Sequence, residues 1–111
     1  MTKTVFSAED FKPLNDGTWG TPIEVERRRR ISLSVATYAY EIADNPIMDD
    51  AMWDWTAAQI DRRVPTGHPL LDEFFLTQFS AMTGMWIHQH PELEKIKAIY
   101  ERYKARVLDV R

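Results

Sequence analysis

The fold is decided by residues 21–55, which read TPIEVERRRRISLSVATYAYEIADNPIMDDAMWDW. Thr21, Pro22 and Glu24 make a strong helix start, because threonine can cap, proline fits the first helical position and glutamate completes a capping box. The uninterrupted helical pattern that follows predicts one helix over about residues 22–43. The residues expected in its buried stripe are Ile31, Val35, Tyr38 and Ile42.

The turn after this helix is fixed by Pro46, because a proline excludes the preceding Asn45 from helical geometry. Asp49 is then a good N-cap for a second helix, predicted at about residues 50–63. Asp50 lies in its first turn, where the helix dipole favours a carboxylate. The short connection predicts that the two helices form an antiparallel hairpin.

Two further helices close this hairpin, and the sequence therefore predicts an all-α fold. They are expected at about residues 69–79 and 91–108, and each begins at a proline. We expect residues 1–20 to form an N-terminal arm and residues 21–111 to form a single helical domain. The apolar residues expected to be buried in these two helices are Leu70, Leu71, Phe74, Phe75, Phe79, Leu93, Ile96, Tyr100, Tyr103 and Val107.

The composition limits the classes of function. The 111 residues include no cysteine, which excludes disulfides and thiolate metal sites. The formal net charge of −3 gives no general attraction to nucleic acid or to an anionic membrane. The chain begins without an apolar signal segment, and no apolar run approaches the ~20 residues that span a bilayer. We expect a cytoplasmic protein without a membrane segment, and the sequence leaves a homo-oligomer open.

Four consecutive arginines, at residues 27–30, invite a nucleic-acid interpretation. At about 100° per residue they point in all directions around a helix and do not make a one-sided patch. A solvent-exposed helix surface with local pairing to Glu24 and Glu26 is favoured, and direct nucleic-acid binding is not. The alternative is that Arg27 or Arg30 contacts the phosphate of a ligand.

A candidate site surrounds the turn. Tyr40 lies before the turn and Trp53 after it, and the helical rise of 1.5 Å per residue brings both to a similar height on facing helices. Asp50, Trp53 and Asp54 share one helix face. Two aromatic walls with Asp50, Asp54 and Glu41 at the rim suit a flat cation, and we call this arrangement the acidic slot.

The plain alternative is that the two rings are core residues and the aspartates are helix caps. A metal site is not expected. The three histidines lack the spacing of a zinc site, and the acidic turn lacks both the spacing and the glycine of a calcium loop.

Residues 28–55 resemble the N-terminal helical domain, domain Ia, of bacterial NAD-dependent DNA ligases. That family shows a tyrosine-rich helix, an acidic-x-Pro turn and an Asp-x-x-Tyr-Asp helix, and the chain has Asp44-Asn45-Pro46 and Asp50-x-x-Trp53-Asp54 at the matching places. The His-Pro-Glu-Leu sequence at residues 90–93 also resembles a segment that follows this hairpin in the ligases.

The resemblance implies a ligand, because in that family the domain recognises the nicotinamide mononucleotide half of NAD. It implies that Tyr40 and Trp53 stack on the nicotinamide ring and that Asp50 and Asp54 contact the same moiety. Tyr38, in the tyrosine-rich helix, belongs to the expected ligand-binding set.

Two residues depart from the ligase pattern. Trp53 stands where the ligases usually have tyrosine, which keeps a stacking face and loses a hydroxyl. Glu41, also in the expected ligand-binding set, stands where they usually have a histidine near the phosphate. The phosphate of the ligand must then lie elsewhere, be reached by an arginine, or be absent.

Ligase chemistry is not expected, because no lysine of the chain belongs to the Lys-x-Asp-Gly motif of an adenylation domain. The sequence predicts a non-catalytic protein without a cofactor that binds nicotinamide mononucleotide, NAD or a related ADP-ribose nucleotide and sequesters it. Small stand-alone proteins with this resemblance look phage-encoded, which implies interference with a host defence that uses NAD-derived signals.

Two other functions stay open. One is a protein-interaction module of DNA metabolism with a vestigial slot, which would dock through residues 79–87. The other is a nicotinamide-nucleotide N-glycosidase that uses Glu41 and Asp54 as an acid/base pair.

Overall fold

The computed structural model of the chain describes residues 20–110, with side chains as far as Arg106. It contains four α-helices, which confirms the all-α prediction, and the described residues contain no strand. Apart from Gly20, the predicted N-terminal arm lies outside these residues. No helix in this part of the chain is long and apolar enough to cross a membrane. The elements are α1 (Pro22–Glu41), α2 (Asp50–Gln59), α3 (Pro69–Thr77), a 3₁₀ segment (Met85–Gln89) and α4 (Leu93–Val110).

Helix α1 begins where the sequence predicts. The Thr21 hydroxyl accepts a hydrogen bond from the Glu24 N–H at 3.2 Å, and the Glu24 carboxylate accepts one from the Thr21 N–H at 2.7 Å. The helix ends at Glu41, because Asp44 adopts a left-handed conformation with φ 53° and the Asn45 N–H turns back to the Ala39 carbonyl at 2.7 Å.

The buried surface of α1 is wider than the predicted stripe. Val35 and Tyr38 are buried as predicted, but Ile31 and Ile42 are 38% and 37% exposed, and their predicted burial was wrong. Every residue from 32 to 39 is buried, because α2, α4 and the 3₁₀ segment all pack against this helix. A one-sided stripe describes a surface helix, whereas α1 lies at the centre of the domain.

Helix α2 begins at the predicted cap, since the Asp49 carboxylate accepts a hydrogen bond from the Met52 N–H at 2.8 Å. It ends at Gln59, four residues before the predicted end. The backbone becomes extended at Ile60, and the Asp61 N–H donates to the Glu26 carboxylate of α1 instead of continuing the helix. The antiparallel hairpin stays a prediction, which this contact supports.

Arg30 is buried, so the interpretation of the arginine run as a solvent-exposed surface was wrong for this residue. Its side chain is 5% exposed and forms ion pairs with Glu26 at 2.8 Å and with Asp72 at 3.0 Å. It also donates to the carbonyls of Asp61 at 2.8 Å and Val64 at 3.0 Å. One guanidinium group therefore joins α1, the loop after α2 and the first turn of α3.

Rings from α3 and the 3₁₀ segment fill the centre of the core. The ring centroid of Phe75 lies 5.5 Å from that of Phe79 and 5.8 Å from that of Trp86. The ring centroids of His90 and Phe74 are 5.1 Å apart. Phe74, Phe75 and Phe79 are buried as predicted. Leu70 is 62% exposed, so its predicted burial was wrong.

Helix α4 closes the domain against α1. Ile96, Tyr100 and Tyr103 are buried as predicted, Leu93 is half-buried, and the side chain of Val107 lies outside the described residues. The Tyr100 hydroxyl accepts a hydrogen bond from the Asn45 side chain at 2.8 Å. This bond ties the turn between α1 and α2 to α4.

Candidate functional site

A pocket of about 250 Å³ opens between α1, α2 and the loop that precedes the 3₁₀ segment. Five of the six residues that the sequence predicts for ligand binding line it together. The lining residues are Ala36, Thr37, Tyr40, Glu41, Met48, Asp50, Trp53, Asp54, Met82 and Gly84. The pocket thus occupies the position of the acidic slot.

The two aromatic residues differ in how they are held. Trp53 is half-buried against the core, and its indole N–H donates to the Thr37 hydroxyl at 2.9 Å. Thr37 in turn donates to the Leu33 carbonyl at 2.6 Å, so a chain of hydrogen bonds fixes the orientation of the indole. Tyr40 is 53% exposed and forms the open wall of the slot.

Tyr38 does not line the slot. It is buried, and its ring lies 5.4 Å from the ring of Tyr100. Residues two apart on a helix lie about 200° apart around the axis, so Tyr38 packs on α4 while Tyr40 faces the slot.

The charge of the slot is negative. Glu41, Asp50 and Asp54 line it, and its described lining includes no lysine, arginine or histidine. Asp49, in contrast, is used as the cap of α2. Because like charges at one concave site attract counter-charges and focus the field, the slot favours a cation over an anion.

The two arginines predicted to contact a phosphate lie outside the lining of the slot. Arg27 donates twice to the Thr66 carbonyl, and the Arg30 guanidinium is held by the two carboxylates and two carbonyls described above. Both side chains therefore hold the loop after α2.

Sequence reasoning missed five residues that line the slot. They are Ala36 and Thr37 of α1, Met48 of the turn, and Met82 and Gly84 of the loop after α3. For Thr37 a signal was present, since it lies three and four residues before Tyr40 and Glu41 and therefore shares their face. For Met82 and Gly84 the sequence offers only a helix break at Thr83-Gly84.

Gly84 lines the slot beside Thr37 and Glu41, and replacing it with alanine is expected to destabilise the fold by about 1–3 kcal/mol. An added Cβ would lie 2.7 Å from the Thr37 Cγ2 atom and 3.3 Å from a Glu41 carboxylate oxygen. Its φ of −97° suits any residue, so the cost is steric. The measurement is urea denaturation of the variant.

The same Gly84→Ala substitution in a protein that also carries Thr37→Ser is the control. Serine removes the clashing Cγ2 atom and keeps the hydroxyl that bonds Leu33 and Trp53. The Gly84→Ala cost is expected to fall below about 1 kcal/mol in this background, as contacting residues couple in a double-mutant cycle. An equal cost in both backgrounds would contradict the close contact of Gly84 with Thr37.

The described residues contain no group of three or more histidine, aspartate or glutamate side chains that could hold a metal ion. Comparisons of the chain with family models, with curated proteins and with solved structures find no match.

Proposed function

We propose that this chain is a non-catalytic binding protein for nicotinamide mononucleotide, NAD or a related ADP-ribose nucleotide, and that the ligand's cationic ring enters the acidic slot. A binder without a catalytic domain acts by mass action, so its role is sequestration of an NAD-derived metabolite or signal. The resemblance to the ligase domain extends this proposal to phage interference with an NAD-based host defence.

The proposal is based on one observation. Tyr40 and Trp53, which are thirteen residues apart, line the same pocket, and the three carboxylates of the slot line it with them. A flat cation between these walls gains cation–π attraction of about 0.5–2 kcal/mol. The oxidised nicotinamide ring is such a cation.

The size of the slot limits how much of the ligand it holds. Its volume of about 250 Å³ lies below the roughly 300–1,000 Å³ of typical small-molecule sites. The slot therefore fits the nicotinamide ring and part of its ribose, while phosphates and any adenosine extend outside. With three carboxylates in the wall, a phosphate is better placed in solvent than in the slot.

Calorimetric titration with nicotinamide mononucleotide, NAD and ADP-ribose tests the proposal. We expect both nicotinamide nucleotides to bind more tightly than ADP-ribose, which lacks the cationic ring. At a ligand concentration of 100 times Kd, binding should also stabilise the fold by about 2.7 kcal/mol. The absence of heat and of a thermal shift with every ligand at millimolar concentration would overturn the proposal. Recovery of free nicotinamide would instead support the N-glycosidase.

Neutralising the slot is expected to raise the Kd for nicotinamide mononucleotide at least tenfold, which corresponds to about 1.4 kcal/mol. The variant is the triple Glu41→Gln, Asp50→Asn, Asp54→Asn, which keeps side-chain size and removes the charges that attract the cation. The measurement is calorimetry at low and at physiological ionic strength.

A control triple variant, Glu73→Gln, Glu94→Gln, Glu101→Gln, makes the same change in net charge on exposed residues of α3 and α4. We expect its Kd to equal that of the unmodified protein. Equal weakening in both triple variants would show that net charge, and not the slot, governs binding.

A specific observation also favours the interaction module. Within residues 79–87, which the sequence offers as a docking segment, Met82 and Met85 are exposed while Phe79, Trp86 and Ile87 are buried. Exposed methionines are common at adaptable binding surfaces. This function, with its vestigial slot, predicts that no nucleotide binds and that Met85→Lys abolishes a pull-down with a purified NAD-dependent DNA ligase.

A further inference from the structure

A second pocket, of about 230 Å³, lies between α1, α3 and the start of α4 and shares no lining residue with the acidic slot. We call it the α1–α4 cavity. Its wall is mostly apolar, unlike that of the slot. The apolar side chains that line it are Ile31, Leu71, Phe75, Ile96 and Ile99.

Ser34 lies in this wall without a hydrogen-bond partner. The residue is 1% exposed, and its hydroxyl bonds no group among the described residues. A buried polar group without a partner typically costs about 1–3 kcal/mol, and folded proteins keep few of them. A hydrogen-bond partner for this hydroxyl would recover part of that cost.

His90 adds a second polar group to the same wall. The residue is 7% exposed, and its Nδ1 accepts a hydrogen bond from the Glu92 N–H at 3.0 Å. Burial lowers the pKa of His90 to about 4, so the ring is neutral near pH 7 and carries its proton on Nε2. Within residues 20–110, no hydrogen bond from this Nε2 is present.

The charged groups around the cavity are already paired. Glu92 forms an ion pair with Lys95 at 2.8 Å and lies 3.6 Å from His68, and the Arg30 guanidinium is held by Glu26 and Asp72. A charged ligand would therefore find no unpaired side chain of opposite charge here among the described residues. A neutral ligand does not need one.

We propose that the α1–α4 cavity binds a small neutral molecule: one ring that carries a hydroxyl or carbonyl oxygen. The ring fills the apolar wall, and the oxygen pairs with the Ser34 hydroxyl or the His90 N–H. An apolar cavity of about 150 Å³ in another protein holds benzene, so this larger one accommodates a substituted single ring.

Phenol and toluene provide a matched pair of probes, because they have nearly the same size and only phenol has an oxygen. We expect an NMR titration to shift the amide resonances of Ser34, Ile96 and Ile99, with a Kd for phenol at least fivefold lower than for toluene. Shifts confined to other residues, or no shift with either probe, would overturn the proposal.

Ser34→Ala separates a ligand contact from general apolar binding. The variant loses no hydrogen bond of the folded chain, so it should melt at or above the temperature of the unmodified protein. We expect at least one of the variants Ser34→Ala and His90→Phe to bind phenol and toluene with equal affinity, and both to bind nicotinamide mononucleotide as before. A phenol preference that survives in both Ser34→Ala and His90→Phe would contradict the assignment of these two polar groups.

Discussion

Replacing Arg30 with alanine is expected to lower the free energy of unfolding by about 3–5 kcal/mol, the usual cost of breaking a buried ion pair from one side. The variant leaves Glu26, which is 2% exposed, as a buried carboxylate without its closest cation. It also removes the donor to the carbonyls of Asp61 and Val64. Since the free energy of unfolding of a small domain is about 5–15 kcal/mol, this loss is a large part of the total stability.

The measurement is guanidinium denaturation at pH 7, with Arg63→Ala as the control. Arg63 is an exposed arginine of the loop after α2, and surface substitutions of this kind change stability by about 0.5 kcal/mol or less. Arg30→Lys should rescue only part of the loss, because an ammonium cannot reproduce the guanidinium fork. A cost below about 1 kcal/mol for Arg30→Ala would contradict the proposed role of this residue as the tie between α1, α3 and the loop.

The free energy of unfolding is expected to rise as the pH increases from about 4 to 6.5, by up to about 3 kcal/mol from His90 alone. Burial of His90 among aromatic rings lowers its pKa from 6.5 to about 4, against the opposing pull of the Glu92 carboxylate. In this window the unfolded chain binds a proton at His90 and the folded chain does not. The contribution of His90 to the free energy of unfolding is therefore fully present above pH 6.5 and is lost as the pH falls to about 4.

Denaturation curves at half-unit pH steps measure this effect as a difference between proteins. His90→Asn keeps an acceptor for the Glu92 N–H and should have a flatter profile, while the exposed His88→Asn should keep the original one. Burial raises the pKa of Glu26, so the effect of Glu26 on stability has the opposite pH dependence. Subtracting the profile of a histidine variant from that of the unmodified protein removes this contribution. Identical slopes for all three proteins would contradict the burial of a neutral imidazole.

The features that sequence reasoning predicted correctly are local ones. The capping box of Thr21 and Glu24 and the cap by Asp49 involve residues three apart, so the sequence contains the whole interaction. The spacing of Tyr40 and Trp53 from a single proline turn likewise suffices to bring both rings to one pocket.

The features that sequence reasoning missed depend on contacts between distant parts of the chain. Arg30 is buried because Asp61, Val64 and Asp72 surround it, more than thirty residues later. Gly84 reaches the slot because the loop after α3 returns to α1, and no local pattern encodes that path. The unpaired hydroxyl of Ser34 is equally invisible in the sequence, since it is defined by what lies around it.

We propose that the acidic slot recognises the positive charge of an oxidised nicotinamide ring. Oxidised and reduced nicotinamide mononucleotide share their ribose and phosphate and differ in the charge and planarity of the ring, so calorimetric titration with this pair is the most direct test. We expect the oxidised form to bind and the reduced form to bind at least tenfold more weakly. Equal affinity for the two forms, or no binding of the oxidised form at millimolar concentration, would contradict it.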